Sequence, residues 1–120
     1  MAVKVPGVAI PGGATVDIRI EMTAQANITA FVARQKVTQF VVTRISDQLR
    51  GEAPDLHVGE RLCWSVPVVL TSPSRGALGR VGEILVDAAT GEVLADTEAV
   101  QRISEDAERL AQRAALQAGA

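Results

Sequence analysis

The strongest constraint on the fold is a run of alternating residues at positions 60–71. An extended strand sends successive side chains to opposite faces of a sheet, so residues two apart share a face. Proline has no N–H for a sheet ladder, so Pro67 predicts that this strand lies at a sheet edge or carries a bulge there. The face that would cover a core is wholly apolar: Leu62, Trp64, Val66, Val68 and Leu70.

Two shorter segments, residues 15–22 and 80–87, show the same period of two and predict further strands, and a short strand is predicted at 92–95 after a turn. In the segment 80–87, Ile84 and Val86 would point inward, while Glu83 and Asp87 would point outward. The residues before it, 72–79, are rich in Gly and Ser and predict a loop.

A long helix is predicted between residues 24 and 49, where the chain has neither Gly nor Pro. Positions 36–43 are rich in β-branched residues, which lose side-chain freedom in a helix, so a strand there is the alternative. Val37 and Phe40 lie off the apolar arc of this helix, and would either meet a second element or lie exposed. The arc comprises Ile28, Phe31, Val32, Val41, Val42, Ile45 and Leu49.

The C-terminal residues 96–118 predict a second helix, with Asp96 or Thr97 as the N-cap. Its apolar stripe is too short for an autonomous coiled coil, so the helix should dock on the domain or on a twin helix. Charges spaced four apart would support it as the pairs Glu98–Arg102 and Glu105–Arg109. The stripe consists of Val100, Ile103, Ala107, Leu110 and Ala114.

Together these segments predict an α+β fold: an antiparallel sheet of three to four strands packed on a long helix, plus a C-terminal helix. The chain has 120 residues, which suits one domain. We expect residues 1–14 to form a flexible leader, with no signal peptide, and residues 15–120 to form that single domain.

Composition argues against several classes of function. The net charge is −2 and there are only three aromatic residues, which disfavours binding to nucleic acid by charge or by base stacking. No stretch approaches the roughly 18 apolar residues of a membrane span. Cys63 is the single cysteine, so an internal disulfide is excluded and a reducing, cytoplasmic setting is expected. No residue spacing indicates a metal site or a cofactor.

The stretch from Val86 to Val93 reads Val-Asp-Ala-Ala-Thr-Gly-Glu-Val, and with the Trp64-Ser65-Val66 strand and the preceding helix it resembles the PepSY domain. The resemblance covers about residues 27–95. It implies a cystatin-like sheet packed on a helix and ending in a hairpin at this motif. It also implies a binding or inhibitory role directed at peptidases. The segments before residue 27 and after residue 95 are additions to that pattern.

Candidate chemistry is sparse. His57 is the only histidine and Cys63 the only thiol, so an enzyme would have to use these two as an imidazole–thiol pair; otherwise His57 is a solvated linker residue and Cys63 a packing residue. Residues 72–80 carry glycines, serines and arginines that suggest an anion-binding loop. The competing interpretation is a hairpin connection, because phosphate loops lead from a strand into a helix.

The sequence therefore predicts a small non-catalytic interaction or assembly module that self-associates, as a homodimer, through its C-terminal stripe or an open sheet edge. A PepSY-like peptidase inhibitor or regulator is the first alternative, and an enzyme using His57 and Cys63 is the second. No catalytic, cofactor or metal residue is assigned. The candidate interface residues are Val37, Phe40, Trp64, Val100, Ile103 and Leu110.

Overall fold

The computed structural model describes residues 12–13, 23 and 25–118. The predicted strand at 15–22 and, apart from residues 12–13, the predicted leader lie outside the described residues. In chain order the elements are α1 (Ala30–Arg44), β1 (Leu49–Gly51), β2 (Asp55–Val58), β3 (Leu62–Ser72), β4 (Gly76–Asp87), β5 (Val93–Leu94) and α2 (Thr97–Ala118).

One antiparallel sheet of five strands organises this part of the chain, and with its two helices it confirms the α+β fold. β3 lies at the centre, with β4 on one side and both β1 and β2 on the other. β5 pairs with the end of β4. β3 is therefore not an edge strand, and Pro67 lies opposite the break between β1 and β2, where a missing N–H is tolerated.

Helix α1 is shorter than predicted. Thr29 caps its start, accepting a hydrogen bond from the Val32 N–H. It ends at Arg44 because the N–H groups of Ile45 and Ser46 both turn back to the carbonyl of Val41. The predicted extension to residue 49 is thus wrong, as is the alternative strand at 36–43. The signal for the ending is the Ser46 hydroxyl, which accepts from the Gln48 N–H and favours a turn over a helix.

The buried face of α1 also differs from the predicted arc. Ala33, Val37 and Val41 are fully buried against the sheet. Phe31 and Val42, which the arc placed inside, are 67% and 41% exposed. A small residue, Ala33, forms part of the buried stripe and brings the helix close to the sheet, so the largest apolar side chains do not mark its inner face.

β3 and β4 form a long hairpin, and the predicted loop at 72–79 is reduced to the three residues between these strands. Val66, Val68 and Leu70 are buried on the helix-facing side as expected, with Ile84 and Val86. A bulge sits at Val81, because Val68 is opposite Gly82 while Val69 is opposite Arg80.

Helix α2 confirms the C-terminal prediction, with Asp96 as its cap: its carboxylate accepts from the Ala99 N–H at 2.7 Å. Ile103 and Ala107 are buried against the sheet. A methyl group at Gly82 would lie 2.8 Å from Ile103, so this strand glycine makes room for the helix. Arg109 pairs with Asp106 rather than with the predicted Glu105. In the described part of the chain, neither helix is long and apolar enough to cross a membrane.

Candidate interaction surface

The six predicted interface residues lie mainly inside the domain. Val37 is fully buried and Ile103 is 4% exposed, so these two are core residues and the prediction for them is corrected. The other four are half-buried. Trp64 donates its indole N–H to the carbonyl of Ile28 at 2.7 Å, which ties β3 to the start of α1. The remaining three are Phe40 and Leu110, which pack against the core, and Val100.

The large apolar side chains that reach the surface are different ones, and the sequence reasoning did not single them out as interface residues. Leu56 and Val58, on β2, are 50% and 54% exposed. The alternating Asp-Leu-His-Val stretch between Pro54 and Gly59 is the sequence signal for this strand, whereas the sequence-based prediction there is a linker. The others are Phe31 and Val42 on α1 and Leu116 on α2.

The backbone of β2 is open on one side. The Ala88 N–H donates to the carbonyl of Leu62, so even-numbered residues at this end of β3 bond β4 and odd-numbered ones bond β2. Asp55 and His57, opposite odd-numbered β3 residues, therefore direct their backbone groups toward β3. Leu56 and Val58 direct their N–H and C=O groups away from it, and no described strand pairs with that side.

The neighbouring strand β1 has its outer side covered by α1. The Thr38 hydroxyl accepts from the Gly51 N–H at 3.0 Å, and the Arg34 side chain donates to the Gly51 carbonyl at 3.0 Å. Arg34 also pairs with Glu52 at 3.3 Å. Two residues four apart on one helix thus satisfy both outward groups of Gly51, which removes a site for strand addition.

A shallow groove of about 490 Å³ runs along the outer face of α1. Phe31 and Val42 supply its apolar part and Gln35 and Gln39 its polar part. Nothing described covers this face, and no group in it is arranged for chemistry.

His57 and Cys63 lie directly opposite each other on β2 and β3, but among the described residues no hydrogen bond joins their side chains. Cys63 is buried. Burial, followed by the negative charge of Asp87, raises the pKa of the Cys63 thiol, against the opposing effect of Arg61. A catalytic cysteine needs its thiolate near neutral pH, and this environment favours the protonated thiol.

Asp87, predicted to point outward, is only 6% exposed. Its carboxylate accepts from the N–H groups of Ala89 and Thr90 at 2.8 and 3.0 Å and pairs with Arg61 at 3.1 Å. The bond from Thr90 and then that from Ala89 lower the pKa of Asp87, with Arg61 adding to the effect and burial opposing it. Asp87 thus holds the turn into β5, where Gly91 adopts φ +79°.

In the described residues, the other candidate sites are not arranged to bind a ligand. Residues 72–80 are mostly hairpin strand, with Arg80 paired to Glu83 and Arg75 bonded to the Ala114 carbonyl, so the arginines do not converge on an anion. Among the described residues, no group of three or more His, Cys, Asp or Glu side chains is placed to hold a metal ion. Of the acidic residues near the last turn, Asp87 and Asp96 accept hydrogen bonds from the backbone N–H groups of Ala89 and Ala99.

Comparison of the chain with protein-family models, with curated proteins and with solved structures gave no match. The PepSY resemblance therefore stays a prediction.

Proposed function

We propose that this protein is a small non-catalytic assembly module that binds a second copy of itself through the open edge of β2. The observation that carries the proposal is the combination of outward-directed backbone groups and exposed apolar side chains at Leu56 and Val58. An unpaired strand edge of this kind is a template for pairing with another strand.

The outward backbone groups of β2 and its exposed apolar side chains both favour a strand as the partner. A second β2 would pair with the N–H and C=O groups of Leu56 and Val58. Leu56 lies opposite Trp64, on the helix-facing side of the sheet, so its side chain would meet an apolar neighbour there rather than water. The edge carries one negative side chain, Asp55, and no lysine that would discourage pairing.

The strand has four residues, so the interface is small and the association should depend on concentration. The test is light scattering coupled to size-exclusion chromatography at several concentrations of the full chain. We expect the mass to rise from the monomer's 12.6 kDa toward twice that value. Leu56→Lys, which places a charge on the edge, should keep the mass at that of the monomer.

Leu116→Lys is the matched control, because Leu116 is an exposed leucine on α2. It should associate as the natural chain does. A natural chain that stays at 12.6 kDa at every concentration contradicts the proposal. Loss of association in Leu116→Lys but not in Leu56→Lys would assign self-association to the C-terminal helix instead.

A second proposal follows from the PepSY resemblance, namely a peptidase inhibitor or regulator. It is supported by the packing of α1 on an antiparallel sheet that ends in a hairpin at Asp87 and Gly91. Inhibition of a peptidase from the host's own extract would support it, and unchanged peptidase activity with excess protein would count against it. For either role we propose a cytoplasmic setting, since the one cysteine is a buried free thiol.

A further inference from the structure

We propose that two copies of β2 pair antiparallel about a two-fold axis at Leu56, so that Asp55 of each copy faces His57 of the other. The inference rests on the proposed function and specifies its partner strand and its register. It follows from the order of side chains along four residues and from the direction of their backbone groups.

A two-fold axis perpendicular to the sheet keeps the helix-bearing faces of both copies on the same side. Residues directly opposite each other then share a face, which limits the pairing to registers centred on one residue of the strand. The axis can lie on any of the four strand residues, but only centring on Leu56 or His57 pairs three residues of each copy, whereas centring on Asp55 or Val58 pairs the axial residue alone.

The side chains select among these registers. Centring on Asp55 places two carboxylates opposite each other, and centring on His57 places two imidazoles opposite each other. Centring on Leu56 places Asp55 opposite His57 twice. A carboxylate accepts a charge-assisted hydrogen bond from an imidazole N–H, whereas like charges directly opposite each other destabilise a strand pair.

The backbone is compatible with this register and equally with one centred on His57, which pairs Leu56 with Val58, so the choice between them rests on the side chains. Leu56 directs its N–H and C=O outward, so a copy centred on it exchanges two hydrogen bonds at the axis. The flanking Asp55–His57 pairs are then of the non-hydrogen-bonded kind, with Cα atoms about 4.5 Å apart and side chains close together. These pairs lie on the face away from the helices, in the row that contains Cys63 and Asp87.

Disulfide trapping reads the register directly. In the full chain with Cys63→Ala, which removes the buried natural thiol, Leu56→Cys and His57→Cys are prepared separately. Opposed cysteines fall within the disulfide range of about 4.4–6.8 Å between Cα atoms, whereas residues displaced by two positions are about 7–8 Å apart. Mild oxidation should link Leu56→Cys into a covalent dimer and leave His57→Cys largely unlinked.

Charge exchange supplies an independent readout. Asp55→Lys removes the carboxylate acceptor opposite His57 twice, and His57→Glu places like charges opposite each other twice, so each should raise the dimer dissociation constant about tenfold. The double variant places opposite charges across the proposed register and should return to within about threefold of the natural chain. Persistent weakening in the double variant would contradict the register.

The outcomes separate the two proposals. A dimer that is trapped at residue 57 and not at residue 56 keeps the proposed function and overturns the register. A dimer trapped at neither position overturns the register; it overturns the proposed function as well when Leu56→Lys leaves that dimer intact, because the dimer then lies on another surface. A chain that stays monomeric at every concentration also overturns both.

Discussion

β1 and β2 pair with the same side of β3, yet only one of them has its other side covered. Gly51 of β1 is buried, and α1 supplies both a hydroxyl acceptor and a guanidinium donor to its backbone. All four residues of β2 are exposed. Three residues, 52–54, separate the two strands and include Pro54, after which the register to β3 shifts by one.

The difference teaches how little is needed to close a sheet edge. Thr38 and Arg34 lie one turn apart on α1, which matches the spacing of an outward N–H and C=O on one strand residue. α1 ends its contact there, so the adjacent strand keeps its backbone groups for a partner. The same flank of one sheet thus combines a closed part that stabilises the fold with an open part suited to assembly.

The largest effect should come from replacing a leucine by alanine in each of the two strands and comparing the losses of stability. Leu49 of β1 is 2% exposed and belongs to the core, so Leu49→Ala should lower the free energy of unfolding by about 2–5 kcal/mol. Leu56 of β2 is half exposed, so Leu56→Ala should lower it by less than about 1 kcal/mol. Urea unfolding at low protein concentration measures both values.

Low concentration matters because dimer formation would add to apparent stability. Equal losses in the two variants would show that β2 is packed as firmly as β1. That result would remove the contrast between a structural and an available strand.

A smaller effect is expected at the hydroxyl that closes β1. Thr38→Val keeps the shape of the side chain but removes the acceptor for the Gly51 N–H. A buried donor without a partner costs about 1–3 kcal/mol, and Gly51 is buried, so we expect a loss of about 1–2 kcal/mol by urea unfolding. Thr38→Ser keeps the hydroxyl and should retain most of the stability.

If Thr38→Val instead matches Thr38→Ser, water replaces the acceptor and the edge of β1 is less closed than its contacts indicate. A different result, an increase in dimer or higher oligomers in Thr38→Val, would support the closing role of the hydroxyl. It would show that the hydroxyl prevents strand addition at β1.

Much of the fold follows from local pattern. The period of two in β3 and β4 and the capped stripe of α2 all predict the observed elements, because each buries one face against a single neighbour. The end of α1 did not follow, since no Gly or Pro marks it and the turn depends on a serine hydroxyl. The inner face of α1 did not follow either, because close packing on the sheet selects Ala33 over Phe31.

The sequence predicted an open sheet edge as one of two candidate surfaces, but it did not predict where that edge lies. An open sheet edge is a general consequence of a small sheet, but its position depends on where α1 stops covering it. Of the six interface candidates, Val37 and Ile103 face the sheet from their helices, and for that reason the core takes them up. The four-residue pattern of β2 is too short to be told from a linker by periodicity alone.

The smallest effect concerns the row that runs from β2 through Cys63 to Asp87, and it depends on pH. Because the pKa of Asp87 is lowered in the folded chain, its carboxylate stabilises the fold above its unfolded pKa of about 3.9, and this contribution is lost as the pH falls through the lower folded value. Asp87→Asn keeps an oxygen for the turn but cannot be ionised. The natural chain should therefore exceed Asp87→Asn in Tm at pH 7, and the gap should shrink below about pH 4. Asp47→Asn, in the exposed turn after α1, serves as the control and should follow the natural chain. A gap for Asp87→Asn that is independent of pH would mean that the turn, and not the charge, sets the stability of this row.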